Sequence, residues 1–351
     1  MPLAPGGERR SGEGAPGREP GLPARPPLRI GILGAARIAP TALVRPARAL
    51  AGVELRAVAA RDPGRAHRFA ARHGIPRVHG RYRDLLADPE VDAVYVPLPN
   101  ALHCEWSVRA LEAGKHVLCE KPLAANRVEA ERMARASEQA GRVLAEAFHW
   151  RYHALAERLG QILASGELGR LLHVEASLCI PFAIPGNIRY RFELGGGATM
   201  DTGCYAVSLV RFLAGEEPEV VSARARLASP QVDRAMRAEL RFPGGATGRI
   251  TCSLFSARLL DVSARVLGER GRLHVLNPVA PQLFHRLSVR TPAGRRVERV
   301  AGEGSYQGQL RAFARAVREG RSLPTDAAHG VANMRVIDAI YEAAGLRRRG
   351  T

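Results

Sequence analysis

From residue 28 onward, short apolar runs alternate with longer stretches of helical periodicity. Arg29-Ile30-Gly31-Ile32-Leu33-Gly34 reads as a buried strand entering a glycine turn, and helical spacing follows over 38–50. Residues 53–60 predict the next strand. Asp62-Pro63 then opens a helix through residue 73, with Asp as N-cap and Pro at the first helical position. Helices over 81–87, 102–113 and 128–140 alternate with strands over 93–96, 116–119 and 143–147. Such alternation predicts a doubly wound parallel sheet of Rossmann type, with helices on both faces.

Beyond Trp150 the pattern changes. A helix over 153–165 leads to a strand over 172–180, and another helix starts near Asp201. Strand-like runs then occupy 219–227, 233–242, 247–255, 261–267 and 272–275. Pro243-Gly244-Gly245 and Glu269-Arg270-Gly271 mark hairpin turns. This half predicts an α+β domain with a mostly antiparallel, open-faced sheet. Helices over 308–319 and 328–345 close the chain, and the last of them can pack back on the first domain. There is no internal repeat.

The length of 351 residues exceeds one ordinary core and supports two domains, 28–149 and 150–351. Residues 1–27 are rich in Gly, Pro, Arg and Glu and nearly lack large apolar side chains, which predicts a disordered extension. They carry no apolar segment of a secretory signal. Glu8, Glu13 and Glu19 break the basic amphipathic pattern of a mitochondrial leader. No run of about 18 apolar residues is present, so no membrane span is expected. The five cysteines form no CxxC pair, which argues against a disulfide framework or cysteine-bound zinc and suits a reducing cytoplasm.

The net charge of +18 points to anionic partners. The arginines are spread along the chain without an aromatic-interleaved patch, so a phosphorylated cofactor or an acidic metabolite is a more economical anion than nucleic acid. Arg347, Arg348 and Arg349 fit a helix C-terminus, where cations complement the dipole.

Four segments carry candidate chemistry. Gly34-Ala35-Ala36-Arg37-Ile38-Ala39 occupies the place of a GxGxxG turn, with alanine at the second and third glycines. A tight turn there aims a helix N-terminus at a pyrophosphate. At the end of the second strand Asp62 is explained as a helix cap. Arg61 then stands where the 2′-phosphate of NADP would lie, which favours NADP with NAD as the other possibility. Glu120-Lys121-Pro122 follows the strand over 116–119, at the carboxyl edge where such sheets bind ligands. A desolvated lysine there can shed its proton and act as general base, or donate a proton to a carbonyl. In the fourth segment, residues 195–205, Asp201 and Tyr205 share a helical face and suit a proton relay.

Together with Pro97-Leu98-Pro99-Asn100-Ala101-Leu102-His103 and Gly114-Lys115-His116-Val117-Leu118-Cys119-Glu120-Lys121-Pro122-Leu123, these segments resemble the Gfo/Idh/MocA oxidoreductases. The resemblance runs from Leu28 to Arg347. It implies a dehydrogenase that transfers hydride between NAD(P) and a sugar-like or cyclic-diol hydroxyl or carbonyl. Lys121, Asp201 and Tyr205 match the family's catalytic positions. Tyrosine at 205 is similar to the dimeric dihydrodiol dehydrogenases and NADP-dependent D-xylose dehydrogenases. Gly31, Gly34, Ala35, Ala36, Arg37, Ile38, Arg61, Pro97, Pro99, Asn100, His103, Glu120 and Lys121 become cofactor-pocket candidates. Arg151, Asp201 and Tyr205 become substrate-site candidates, with Asn187, Arg189 and Tyr306 as further pocket residues. By resemblance, the open sheet face makes a homodimer or higher homo-oligomer. His149 and His153 have no evident third partner for a metal, so none is expected. Two rival readings remain: an NAD-dependent glycosidase-like hydrolase, and a nucleotide-binding regulator without turnover.

Overall fold

The computed structural model describes residues 26–350 except 183, 185 and 259, so residues 1–25 of the expected disordered extension lie outside the described residues. The first half alternates as its apolar pattern dictates: β1 (Leu28–Leu33), α1 (Arg45–Ala49), β2 (Val53–Ala59), α2 (Pro63–His73), β3 (Arg77–His79), α3 (Tyr82–Leu86), β4 (Ala93–Val96), α4 (His103–Glu112), β5 (His116–Cys119), α5 (Arg127–Ala140) and β6 (Leu144–Glu146). The six strands are parallel in the order β3-β2-β1-β4-β5-β6. Ile30, Ile32, Tyr95 and Leu118 bury one face; Leu33, Val94, Val96 and Val117 bury the other. Both faces are therefore apolar, as a helix-covered parallel sheet requires.

The second half comprises α6 (Ala154–Ala164), β7 (Leu171–Cys179), α7 (Cys204–Ala214), β8 (Glu219–Ser229), β9 (Val232–Arg241), β10 (Thr247–Ser253), β11 (Asp261–Gly268), β12 (Arg272–Leu276), β13 (Arg286–Thr291), β14 (Gly294–Glu298), α8 (Ser305–Glu319) and α9 (Ala327–Ala343). Its sheet runs β14-β13-β12-β11-β7-β10-β9-β8, antiparallel except for β7 beside β10. Val174, Ala176, Met236, Ala238 and Ile250 point under α7 and α9. The other face carries a ladder of charge: Arg237–Glu239 at 3.0 Å, Arg249–Glu239 at 2.9 Å and Arg265–Glu175 at 2.7 Å.

Three strands, β3, β13 and β14, were not expected. β3 and β14 each offer one apolar side chain, Val78 and Val297, and β13 only two, Leu287 and Val289, and arginines stand within all three, so the alternation is too short to register. The helix expected over 38–50 is a π-turn, Pro40–Val44, followed by the short α1. The sequence after α9 departs further from expectation. Arg347 to Arg349 lie beyond its end, and the Arg349 guanidinium is fully buried in an ion pair with Asp233.

The C-terminal helices return to the first half. Leu310, Phe313 and Ala314 of α8 complete the core around Ile30, Ile32 and Tyr95. α9 packs on α5, where Asp338 accepts the Arg127 N–H at 3.0 Å.

Candidate active site

The carboxyl edge of the parallel sheet is built for an extended phosphorylated ligand. Gly34 leaves β1 with φ +112°, a conformation that L side chains rarely adopt. A Cβ there would stand 3.0 Å from the Leu98 side chain, so this turn runs tight against the Pro97-to-Asn100 loop after β4. Ala35 and Ala36 are half-buried, and Arg37 and Ile38 are exposed ahead of the π-turn. Gly31 lies back within β1, where Leu85 and Val91 fill the space of a side chain, so it serves sheet packing. Register pairs Leu33 with Ala59, which brings Arg61 beside the turn. Asp62 caps α2 by accepting the Arg65 N–H at 3.1 Å, leaving the exposed Arg61 without a carboxylate beside it from that residue. Arg65 was missed from sequence. It donates to the Ala35 carbonyl at 3.1 Å, and its place one turn past the Asp62 cap was the available signal.

The Pro97 and Pro99 loop is braced from two sides. His103 is fully buried, with its ring nitrogens 2.9 Å from the Pro122 carbonyl and 2.8 Å from that of Leu98. It therefore ties this loop to the Lys121 turn and has no surface left for a ligand. Asn100 donates to the Gly195 carbonyl at 2.9 Å and joins the two halves of the chain.

Lys121 follows β5, and its bond to Pro122 is cis. Its ammonium donates to the Asp201 backbone carbonyl at 2.9 Å and to Oδ1 of the same residue at 3.3 Å. It also lies 4.9 Å from the centroid of the Tyr205 ring. Asp201 sits in a second π-turn, Thr199–Gly203, immediately before α7; such turns recur at functional sites. Its Oδ2 accepts from Arg189 at 2.7 Å, and Arg189 also reaches Asn187 at 3.4 Å. Glu120 stands behind Lys121 and accepts from the Tyr95 hydroxyl at 2.6 Å.

These contacts fix the proton inventory. Burial opposes the Lys121 ammonium, but the Asp201 carboxylate outweighs it, so the lysine pKa is raised. Burial also opposes the Asp201 carboxylate, and Lys121 with Arg189 outweighs it, so that pKa is lowered. Burial keeps Tyr205 a neutral phenol and raises the Glu120 pKa. Burial, with Lys121 nearby, brings His149 down to about 3. Of the two roles open to Lys121, general base or proton donor, the Asp201 carboxylate favours the donor form, an ammonium.

An ammonium has three N–H donors, and two are used on Asp201. The third, and the Tyr205 hydroxyl, have no partner among the described residues. His149 stacks on Tyr306 with ring centroids 3.9 Å apart and lies edge-on to Tyr205, walling this side of the cluster. Its Nδ1 faces the Ser305 hydroxyl at 2.7 Å, while His153 accepts the Leu155 N–H at 3.0 Å, so the two histidines serve separate contacts. Arg151 is not brought to Lys121. Its guanidinium lies 4.3 Å from the Phe212 ring centroid and lines a separate cavity of about 290 Å³ with Ser208, Arg211 and His329.

Residues 28–148 match the family model described as an oxidoreductase family with NAD-binding Rossmann fold, and residues 156–274 match the GFO/IDH/MocA C-terminal domain. The chain belongs to the GFO/IDH/MocA oxidoreductase family. This member is 39% identical over 323 residues to a D-xylose 1-dehydrogenase (NADP(+)) of Haloferax volcanii, an alignment covering 90% of this chain and 97% of that one. It is 35% identical over 224 residues to the trans-1,2-dihydrobenzene-1,2-diol dehydrogenase of Sus scrofa, covering 63% and 66%. The structure resembles a 3-ketoreductase from Actinomadura kijaniata solved with NADP and TDP-benzene, with a TM-score of 0.83 and 31% identity over 90% of this chain and 98% of the other. The GFO/IDH/MocA protein described here is thus an NAD(P)-dependent oxidoreductase.

Proposed function

We propose that this enzyme uses NADP(H) to interconvert a hydroxyl and a carbonyl on a sugar-like or cyclic-diol substrate, with the substrate oxygen held by Lys121 and Tyr205. One observation carries the reading: the Lys121 ammonium, with one N–H unused, lies 4.9 Å from the Tyr205 ring centroid at the junction of the halves, beside a carboxylate that keeps it charged. The tight turn at Gly34 and the exposed Arg37, Arg61 and Arg65 around it fit a dinucleotide with a 2′-phosphate. Bound there, NADPH supplies a hydride and NADP accepts one.

The protein's part is electrostatic and protonic. When a carbonyl is reduced, negative charge grows on its oxygen. The remaining Lys121 N–H and the Tyr205 hydroxyl are placed to stabilise that charge, and one of them delivers the proton. Asp201 stays ionised throughout and holds Lys121 in place, while Arg189 fixes Asp201 from the other side. Both donors are protonated at neutral pH, so the resting site is set for reduction. Oxidation of an alcohol needs one of them deprotonated and is favoured by alkaline conditions.

The same reading includes the assembly and location. The charged open face of the second sheet would join copies into a homodimer or higher homo-oligomer. The five cysteines are all buried and free, which fits a reducing cytoplasm. A panel of aldoses, inositols and cyclic diols, assayed in both directions with NADP(H) and NAD(H) by nicotinamide absorbance, tests the proposal. Turnover of some member with preference for NADP(H) is expected. Tighter use of NAD(H), or co-purified cofactor with no net redox change on any substrate, would overturn it.

A further inference from the structure

The Asp201 turn is held by a residue far from it in sequence and absent from the reacting cluster. Arg349, beyond α9, is fully buried, and so is its partner Asp233 at the start of β9. The guanidinium donates to Asp233 Oδ1 at 3.0 Å and, through Nε, to the Gly196 carbonyl at 2.6 Å. It is sandwiched by rings, 4.1 Å from the centroid of Tyr341 and 5.0 Å from that of Phe192. Asp233 Oδ1 also accepts from the Tyr341 hydroxyl at 3.0 Å. Its Oδ2 accepts both the N–H and the hydroxyl of Thr199, each at 2.7 Å.

Those contacts clamp both ends of one short segment. Gly196 and Gly197 donate to the carbonyls of Arg191 and Arg189, at 2.9 and 2.8 Å, and the Gly197 carbonyl accepts the Asp201 N–H at 3.1 Å. Gly197 has φ +137°, and a Cβ on it would stand 2.2 Å from Asp233 Oδ1, so nothing larger fits between the clamp and the turn. The segment therefore sets two members of the cluster, Arg189 and Asp201. The main chain of Arg349 faces the other half: its carbonyl accepts from Asn126, the N-cap of α5, at 2.8 Å.

We propose that Arg349 is a positioning residue for the reaction: a strap that runs from the nucleotide-binding half to the glycine segment and holds Asp201 at its distance from Lys121. This rests on the Lys121 reading above. Replacement by Met strands the buried Asp233 carboxylate and endangers folding. Arg349→Lys is the sharper variant. It keeps a cation beside Asp233 but lacks the planar fork needed to reach Asp233 and the Gly196 carbonyl together.

The test uses the full chain. Turnover is followed against pH with the best substrate of the panel, NADPH affinity by fluorescence, and the Lys121 side chain by NMR with 13C-labelled lysine. Lys115 and Lys121 are the only lysines, so the native spectrum has two signals, assigned with Lys121→Met. For Arg349→Lys the expected result is a native melting profile and unchanged NADPH affinity. kcat should fall by up to about a hundredfold, the scale of an angstrom-level misplacement, with KM little changed, and the Lys121 signal should titrate at lower pH as Asp201 drifts from it. A wild-type kcat and Lys121 titration in Arg349→Lys would overturn the proposal, and so would failure of both variants to fold, which would make Arg349 purely structural. If Lys121→Met is itself fully active, the catalytic reading fails instead; the NMR titration still decides whether Arg349 sets the Lys121–Asp201 pair.

Discussion

Replacing Lys121 by Met preserves an apolar stem of similar length and deletes one ammonium, with two consequences of different size. In the folded state Asp201 loses donors at 2.9 and 3.3 Å but keeps Arg189 at 2.7 Å. A hydrogen bond to a charged group contributes about 1.5–3 kcal/mol. The surviving guanidinium keeps Asp201 paired and puts the expected loss near the lower end of that range, a melting decrease of a few degrees. In the reaction, a positioned proton donor contributes about 10²–10⁴ in rate, or about 3–5 kcal/mol of barrier. The two effects are therefore separable. kcat is measured by NADPH absorbance, cofactor affinity by NADPH fluorescence, and stability by thermal melting. The expected outcome is a kcat lower by about a hundredfold or more, with cofactor affinity nearly unchanged. A folded Lys121→Met enzyme within about tenfold of the wild-type kcat would refute the assignment of Lys121 as donor.

Asp201→Asn removes the largest influence raising the Lys121 pKa; burial and Arg189, which lower it, are then opposed only by Cys204 and Glu120. In the wild type the ammonium survives past its ordinary 10.5, so reduction should lose rate only at strongly alkaline pH; in the variant that limb should move to lower pH, and a plot of log kcat against pH in which the limb stays put contradicts the pairing. Arg61→Ala and Arg65→Ala should each raise KM for NADP by about tenfold, about 1.4 kcal/mol of charge-assisted contact, and leave KM for NAD unchanged; equal effects on both cofactors would place the 2′-phosphate elsewhere. Asp88 is held down to about 2 by hydrogen bonds from the Glu90 N–H, Arg77 and His79, which outweigh its burial. A depressed carboxylate pKa stabilises the fold fully above its ordinary 3.8 and ceases to do so as pH falls toward 2. The difference in melting temperature between wild type and Asp88→Asn should therefore shrink across that window, and a constant difference would mean the loss is packing.

The sequence made the parallel sheet legible because its strands are apolar on both faces and each is bounded by helical periodicity. The Asp62 cap was equally plain, since Asp-Pro before a helix has one economical explanation. Lys121, Asp201 and Tyr205 could be named, but their charge states could not, because these depend on the 80-residue jump that sets Asp201 against the lysine. For the same reason Arg349 read as an ordinary basic tail: its partner lies 116 residues away. One signal in the composition went unused. Only two of the 52 basic side chains are lysines. Lys115 threads a compact ammonium between the carbonyls of Asp88 and Val91, at 2.8 and 2.7 Å, and Lys121 serves the site. A chain that uses arginine almost everywhere keeps lysine where a forked guanidinium does not fit the task.

The position of α8 has a consequence for how this protein is made. Its Leu310, Phe313 and Ala314 cover Ile30, Ile32 and Tyr95, yet the ribosome releases them only after every strand of the second sheet. The nucleotide-binding strands therefore emerge with part of one apolar face, the part that Leu43, Ala47 and Leu50 leave open, uncovered until α8 is made. Until then that surface is open to aggregation, as it would not be in a self-covered Rossmann unit. Moving α8 to the N-terminus by circular permutation should raise the yield of folded chain in cell-free translation without chaperones, and an unchanged yield would contradict this.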